Sequence, residues 1–235
     1  MGRVFEKRKY TMFARFDRMA KAFTKIGKEI TIAAKIGGPD PANNPRLRQL
    51  IQNAKGVNMP KDRVENAIKR ITAKDAKDLH ELVYEGYGPH GVAIMVECAS
   101  DNPTRTVSNL RVHFNRNGGN LGNNGSVEFL FDRKGVFKIA KANINLEEME
   151  LDLIDFGADD FQTTDEEVII YTSFNNFGNM AKGLESKNIT VTSAEVQRIP
   201  NNLKEVNEAQ EEEVLKLIEI IEADDDVQSV YHNLA

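Results

Sequence analysis

The sequence predicts an α+β fold, with an N-terminal all-helical domain followed by two ferredoxin-like α/β domains. Three observations predict it. Through the first third of the chain, apolar or small residues recur at alternating spacings of three and four, the period of a helix with one packed face. Beyond His80 the apolar residues gather into short runs rich in Val, Ile and Tyr, bounded by Gly, Pro and Asn, as strands are. Residues 134–200 then carry patterns in the order β-α-β-β-α-β, the split βαβ or ferredoxin-like order.

Phe13, Phe16, Ala20, Phe23, Gly27, Ile30 and Ala34 form the first helical stripe. At about 100° per residue, Arg15, Arg18, Lys21, Lys25 and Lys28 fall largely opposite, so one face packs and the other meets anions. Gly37-Gly38-Pro39 ends the helix, because Gly suits the left-handed residue past a helix end and Pro cannot continue it. Asn44-Pro45 reads as the cap and first turn of a second helix through Leu47, Leu50, Ile51 and Ala54, closed by Gly56. Met59-Pro60 opens a third, with Val64, Ala67, Ile68 and Ile71 apolar. A polar linker, residues 73–78, follows.

Strands are predicted at Leu82–Gly88 and Val92–Cys98, then a helix from Pro103 to Asn117 capped by Asp101 or Asn102. A Gly/Asn loop, 117–125, leads into a strand at Ser126–Phe131. Strands at Gly135–Ala140, Asp159–Thr163, Glu167–Thr172 and Thr190–Arg198 come next, with helices from Leu146 to about Phe156 and from Asn175 to Lys187. The last helix, Glu205–Ile221, and strand, Val227–His232, have no partners of their own. They are predicted to return to the unit begun after residue 79. The domains are then 1–78, 79–133 plus 205–235, and an inserted 134–204.

The net charge of −5 hides a large asymmetry. Residues 1–75 hold 18 Lys+Arg against 7 Asp+Glu, and the remaining 160 residues hold 13 against 29. Such a split points to a nucleic-acid or membrane partner. No run approaches the roughly 18 apolar residues of a membrane helix. The basic start, Met1–Glu6, leads into no apolar run and Glu6 does not suit myristoylation, so neither a secretory signal nor a lipid anchor is predicted. One cysteine, Cys98, forms no internal disulfide, which fits a reducing, cytoplasmic setting.

Catalytic chemistry finds no foothold. His80, His90, His113 and His232 lack metal-ligand spacing, and no Ser/His/Asp order or carboxylate pair emerges. Cys98 lies in an apolar strand and reads as packing. Loop 117–125 lacks the Gly-Lys-Ser/Thr ending of a phosphate loop; it reads as a tight connection or as a close backbone approach to RNA. Asp224-Asp225-Asp226 reads as a solvated turn, with a basic partner or magnesium as the alternative. The chain is therefore predicted to be a non-enzyme with no cofactor, metal or small-molecule substrate.

What remains is the basic helical region. Phosphate contacts are predicted at Lys7, Arg8, Lys9, Arg15, Arg18, Lys21, Lys25, Lys28, Arg46, Arg48, Lys61, Arg63, Lys69 and Arg70, because cations on a folded face neutralise phosphates and release counterions. The helices at 45–55 and 60–71 read either as a helix-turn-helix or as a plain hairpin. In the first reading Asn58, Arg63 and Asn66 are the base-reading candidates.

Longer motifs carry a resemblance. Gly37-Gly38-Pro39-Asp40-Pro41, Asn44-Pro45-Arg46-Leu47-Arg48, Asn58-Met59-Pro60-Lys61-Asp62, Tyr84-Glu85-Gly86-Tyr87-Gly88-Pro89, Asn117-Gly118-Gly119-Asn120-Leu121-Gly122 and Asp225-Asp226-Val227-Gln228-Ser229-Val230-Tyr231-His232-Asn233 stand in the order found in the YebC/PmpR family. The chain resembles that family over nearly its whole length. The resemblance implies a hook-shaped, three-domain cytosolic protein that regulates transcription by binding DNA. Other members, including the mitochondrial translational activator of cytochrome oxidase, imply instead a translation factor on ribosomal RNA. A protein-interaction adaptor without nucleic acid, its basic helices docked on an acidic partner, is the third reading; in the regulator readings the acidic α/β domains meet the ribosome or other protein. The start Gly2-Arg3-Val4-Phe5 departs from the family's Gly-His-Ser-Lys-Trp-like stretch, so no role of that His or Trp carries over.

Overall fold

Between Arg3 and Gly37 no Pro and only one Gly interrupts the helical pattern, and the segment forms one helix, α1 (Arg3–Gly37). It starts ten residues before the apolar stripe from which it was predicted. The computed structural model describes residues 3–72 and 78–235, with side chains from 19–71 and 78–235. Helices α2 (Pro45–Gly56) and α3 (Lys61–Lys69) complete a unit of Met1–His80 with Ala99–Asp101. Ile30, Ala33 and Ala34 of α1 pack on Leu47, Leu50 and Ala54 of α2 and on Met59, Val64 and Ala67.

Asn44 joins α1 to α2. It is 4% exposed. Its Oδ1 accepts the Leu47 N–H at 3.1 Å, and its Nδ2 donates to the carbonyls of Ala33 at 2.8 Å and Gly38 at 2.9 Å. One side chain thus caps the start of α2 while satisfying carbonyls at the end of α1. A Cβ on Gly37 would lie 2.7 Å from the Asn44 amide, which explains the glycine there. The α2 helix ends with Asn58 at φ 57°, its N–H donating to Lys55 and that of Met59 to Ala54. This is a Schellman motif, and it buries Met59.

The second unit, Glu81–Cys98 with Asn102–Ala235, holds two four-stranded sheets. The chain runs β1 (His80–Tyr87), β2 (Ala93–Ser100), α4 (Pro103–Arg116), β3 (Asn120–Leu121) and β4 (Phe131–Ala140). It continues through α5 (Leu146–Asp155), β5 (Ala158–Thr163), β6 (Glu167–Ser173) and α6 (Phe177–Ser186), then β7 (Val191–Pro200), α7 (Glu208–Glu222) and β8 (Val227–His232). The second sheet, in the order β5-β6-β4-β7, has the ferredoxin-like arrangement of β4-α5-β5-β6-α6-β7. The first, β3-β1-β2-β8, also sets four strands against two helices. Its chain order is different, with β1 and β2 successive and α4 after the second strand. Strand β8 returns beside β2, pairing His232 with Ile94 and Ser229 with Glu97.

Ile94, Val96 and Cys98 of β2, with Val92 just before it, point inward onto Leu110 and Phe114 of α4 and Val214, Leu217 and Ile221 of α7. Cys98 is buried there. The second sheet buries Phe137, Ile139, Val168 and Ile170 against Leu153, Met180 and Leu184 of its helices. The strand predicted at Ser126–Phe131 is not one: Glu128–Leu130 is a 3₁₀ turn, and β4 begins at Phe131. Among the described residues no helix is long and apolar enough to cross a membrane.

Candidate nucleic-acid interface

Lys21, Lys25 and Lys28 stand four and three residues apart on α1, so they share a side roughly opposite Phe23 and Ile30. Only Lys21 is well exposed; Lys25 and Lys28 are half-buried. The Lys28 ammonium donates to the Ala99 carbonyl at 2.9 Å. One turn on, Ile32 is 4% exposed although it lies on the same side. Lys35 is hydrogen-bonded to Asp78 and holds that carboxyl below its usual range. Around Lys28 and Ile32, α1 is therefore covered on both sides, and exposure returns at Ile36 in its last turn.

Arg46 and Arg48 of α2 and Lys61, Arg63, Lys69 and Arg70 around α3 are exposed. Glu65 stands between two of them, 3.7 Å from Lys61 and 3.9 Å from Lys69. Exposed helical pairs of this kind are worth well under about 1 kcal/mol, so a phosphate can replace the carboxylate at little cost. The Arg63 guanidinium lies 5.5 Å over the Phe23 ring. That cation–π contact leaves N–H donors of the guanidinium for an acceptor. Asn58 occupies the left-handed position that ends α2, and Asn66 is exposed on α3. The side chains of Lys7, Arg8, Lys9, Arg15 and Arg18 lie outside the described residues. Among the described side chains of this unit, two cations stand outside the predicted set, Lys35 and exposed Lys55. Each stands seven residues past a chosen one, Lys28 and Arg48, and that spacing was the available signal.

Two motifs of the second unit prove to be internal joints. The Glu85 carboxylate, 5% exposed, accepts backbone N–H groups from Gly125 at 2.6 Å, Val127 at 2.7 Å and Glu128 at 2.9 Å. Burial alone would raise its pKa, but these three donors and the nearby Arg198 outweigh it and hold the group below its usual range. Those N–H groups are taken up by the carboxylate, which is why no strand forms at 126–130. Loop 117–125 also lies tight on β1: a Cβ on Gly119 would meet the Tyr87 carbonyl at 2.7 Å.

The acidic turn is not simply solvated. Asp226 is 5% exposed and accepts from Arg105 Nη2 at 2.7 Å and Thr106 Oγ1 at 3.0 Å. Asp224 accepts from Asn109 at 3.3 Å and from the Asp226 N–H at 2.9 Å. The turn is tied to α4 because a carboxylate leaving water needs donors.

Comparison with known proteins places these features in a family. Residues 3–74 match the TACO1/YebC protein N-terminal domain, and residues 79–234 match the TACO1/YebC second and third domain. A protein of Parabacteroides distasonis is 56% identical over all of this chain and 97% of its own length. One of Cytophaga hutchinsonii is 57% identical over all of this chain and 99% of its own. Both are named probable transcriptional regulatory protein. The crystal structure of a conserved hypothetical protein from Aquifex aeolicus superposes with a TM-score of 0.82 at 38% identity, covering 92% of this chain and 90% of that one. With both domain models matched in order across nearly its full length, the chain belongs to the TACO1/YebC family.

Proposed function

We propose that the protein is a non-catalytic, cytoplasmic regulator of gene expression that binds DNA through the exposed cations of its helical unit. One observation carries the reading: Lys21, Arg46, Arg48, Lys61, Arg63, Lys69 and Arg70 are displayed on and around α1, α2 and α3 over an apolar core that, among the described residues, buries no ionisable group. A surface of this kind gives salt-sensitive affinity for a phosphate backbone. The names of the relatives support a role in transcription.

The test uses Lys21→Glu, Arg48→Glu, Lys61→Glu and Arg70→Glu together in the full chain. Binding to a labelled DNA duplex should be lost while the melting temperature stays within a few degrees of the wild type. Retained affinity, or wild-type binding that does not weaken with salt, rejects the reading. Crosslinking in cells followed by sequencing then separates the polymers. Promoter fragments support DNA-level control, and ribosomal RNA overturns it in favour of a translation factor. Recovery of protein alone after nuclease treatment favours an adaptor.

A further inference from the structure

The second unit is acidic, yet one of its segments contains no acid at all. Between Asp101 and Glu128 stands no Asp or Glu, the longest such gap in the chain. Helix α4 and loop 117–125 fill it. On α4, Thr106, Leu110 and Phe114 are buried, so Val112 and Asn115 project from the opposite side with Arg111 and Arg116 flanking them, and all four are exposed.

Of the three arginines on α4, Arg105 is engaged with Asp226 at 2.7 Å. Among the described residues, Arg111 and Arg116 have no carboxylate partner. Arg116 sits in the last turn, where a cation complements the helix dipole. Arg111 lies before that turn, and the dipole does not account for it.

The loop beyond the helix is held in one shape. Gly118 at φ 74° and the Gly119 N–H to the Phe114 carbonyl at 2.9 Å terminate α4. The Gly122 N–H donates to the Glu85 carbonyl at 2.8 Å, and the Glu85 carboxylate clamps the far end. This leaves the Asn123 and Asn124 amides exposed on a fixed turn. A surface already ordered loses little conformational entropy on binding.

We propose that the outer face of α4, with Val112 and Asn115 at its centre, Arg111 and Arg116 on its two flanks and the Asn123-Asn124 turn beside it, is a second contact surface for the phosphodiester backbone of a nucleic acid. The inference rests on the nucleic-acid reading of the helical unit and extends it to the acidic unit. Guanidinium groups on this face meet phosphate oxygens, and the asparagine amides meet phosphate or sugar.

The experiment compares the wild-type chain with Arg111→Gln/Arg116→Gln and Arg111→Lys/Arg116→Lys. Each is titrated by fluorescence anisotropy against a labelled DNA duplex and a labelled RNA stem-loop of equal length, over a series of salt concentrations. The Gln pair should bind at least one polymer about tenfold more weakly at low salt, with a salt slope shallower by about two. The Lys pair should keep the wild-type slope, since charge without fork geometry suffices for a backbone contact. A Gln pair indistinguishable from wild type overturns this surface and leaves the helical-unit reading standing. A Lys pair as weak as the Gln pair rejects a backbone contact. Wild-type protein that binds neither probe defeats both readings.

Discussion

The basic helical unit and the acidic sheet unit treat charge in opposite ways. In the first, among the described residues of the three helices and their caps, the buried polar groups are neutral, Thr31, Asn44 and Asn53, and most cations are exposed at the surface. In the second, Glu85, Arg198 and Asp226 are buried. Arg198 donates to Glu97 at 2.8 Å and stands 3.7 Å from Glu128, linking β7 to β2 and to the turn before β4. Charge that faces water is available to a partner, whereas charge bound to internal donors maintains the fold. A regional net charge therefore says little about function until the surface and interior groups are separated.

The largest expected effect sits on that contrast. Glu85→Ala strands three backbone donors and removes a counter-charge from Arg198, which should cost about 3 kcal/mol. Hydrogen exchange by mass spectrometry should show faster exchange across residues 117–131, with residues 19–71 unchanged. Equal acceleration in both regions would break the contrast. The pH dependence follows from the lowered pKa. A carboxyl that is more acidic folded than unfolded stabilises the fold above its unfolded value of about 4.5. That contribution is lost as pH falls through the lower, folded value. Glu85→Gln should therefore flatten the acid end of the stability profile, and an unchanged profile would remove Glu85 as its source.

Much of this architecture was legible because periodicity survives in the sequence. The stripes through Ile30, Leu47 and Val64, the alternation in β2 and the βαββαβ series all lie where the apolar pattern put them. Three features were not legible, each for a long-range reason. The strand read at 126–131 failed because Glu85, some 40 residues away, takes the N–H groups of Val127 and Glu128. The acidic turn looked solvated because its donors, Arg105 and Thr106, lie over 100 residues earlier. The basic stripe of α1 looked open along its length, but Lys28 finds a carbonyl at Ala99. Local pattern reports which face is apolar and is silent on which polar atoms meet.

A middle-sized effect tests the neutral joints of the helical unit. Asn44→Ala removes the α2 cap and two bonds to α1 carbonyls, for a cost of about 2 kcal/mol. Asn44→Asp separates the two roles, since it can still accept from the Leu47 N–H but has no amide to donate to Ala33 and Gly38. Urea denaturation followed by circular dichroism should place Asp below the wild type in stability as well. Asp equal to wild type would show that the cap alone matters and that the bonds to α1 contribute nothing.

The smallest effect sharpens the contrast most, because Arg63 stands at the boundary between display and joint. Its cation–π contact with Phe23 is worth roughly 0.5–1 kcal/mol at an exposed site. A double-mutant cycle with Arg63→Ala and Phe23→Leu should return a coupling in that range. Arg63→Ala should also weaken nucleic-acid binding, by more than the lost stability can explain, since N–H donors of the guanidinium are left for phosphate. If the contact serves to aim those donors, Phe23→Leu should weaken binding too while leaving every cation in place. Binding that follows Arg63 but ignores Phe23 would make Arg63 a pure surface charge. Binding indifferent to both would assign Arg63 wholly to the fold, and the helical unit would then use at least one of its cations as the acidic unit uses Arg198.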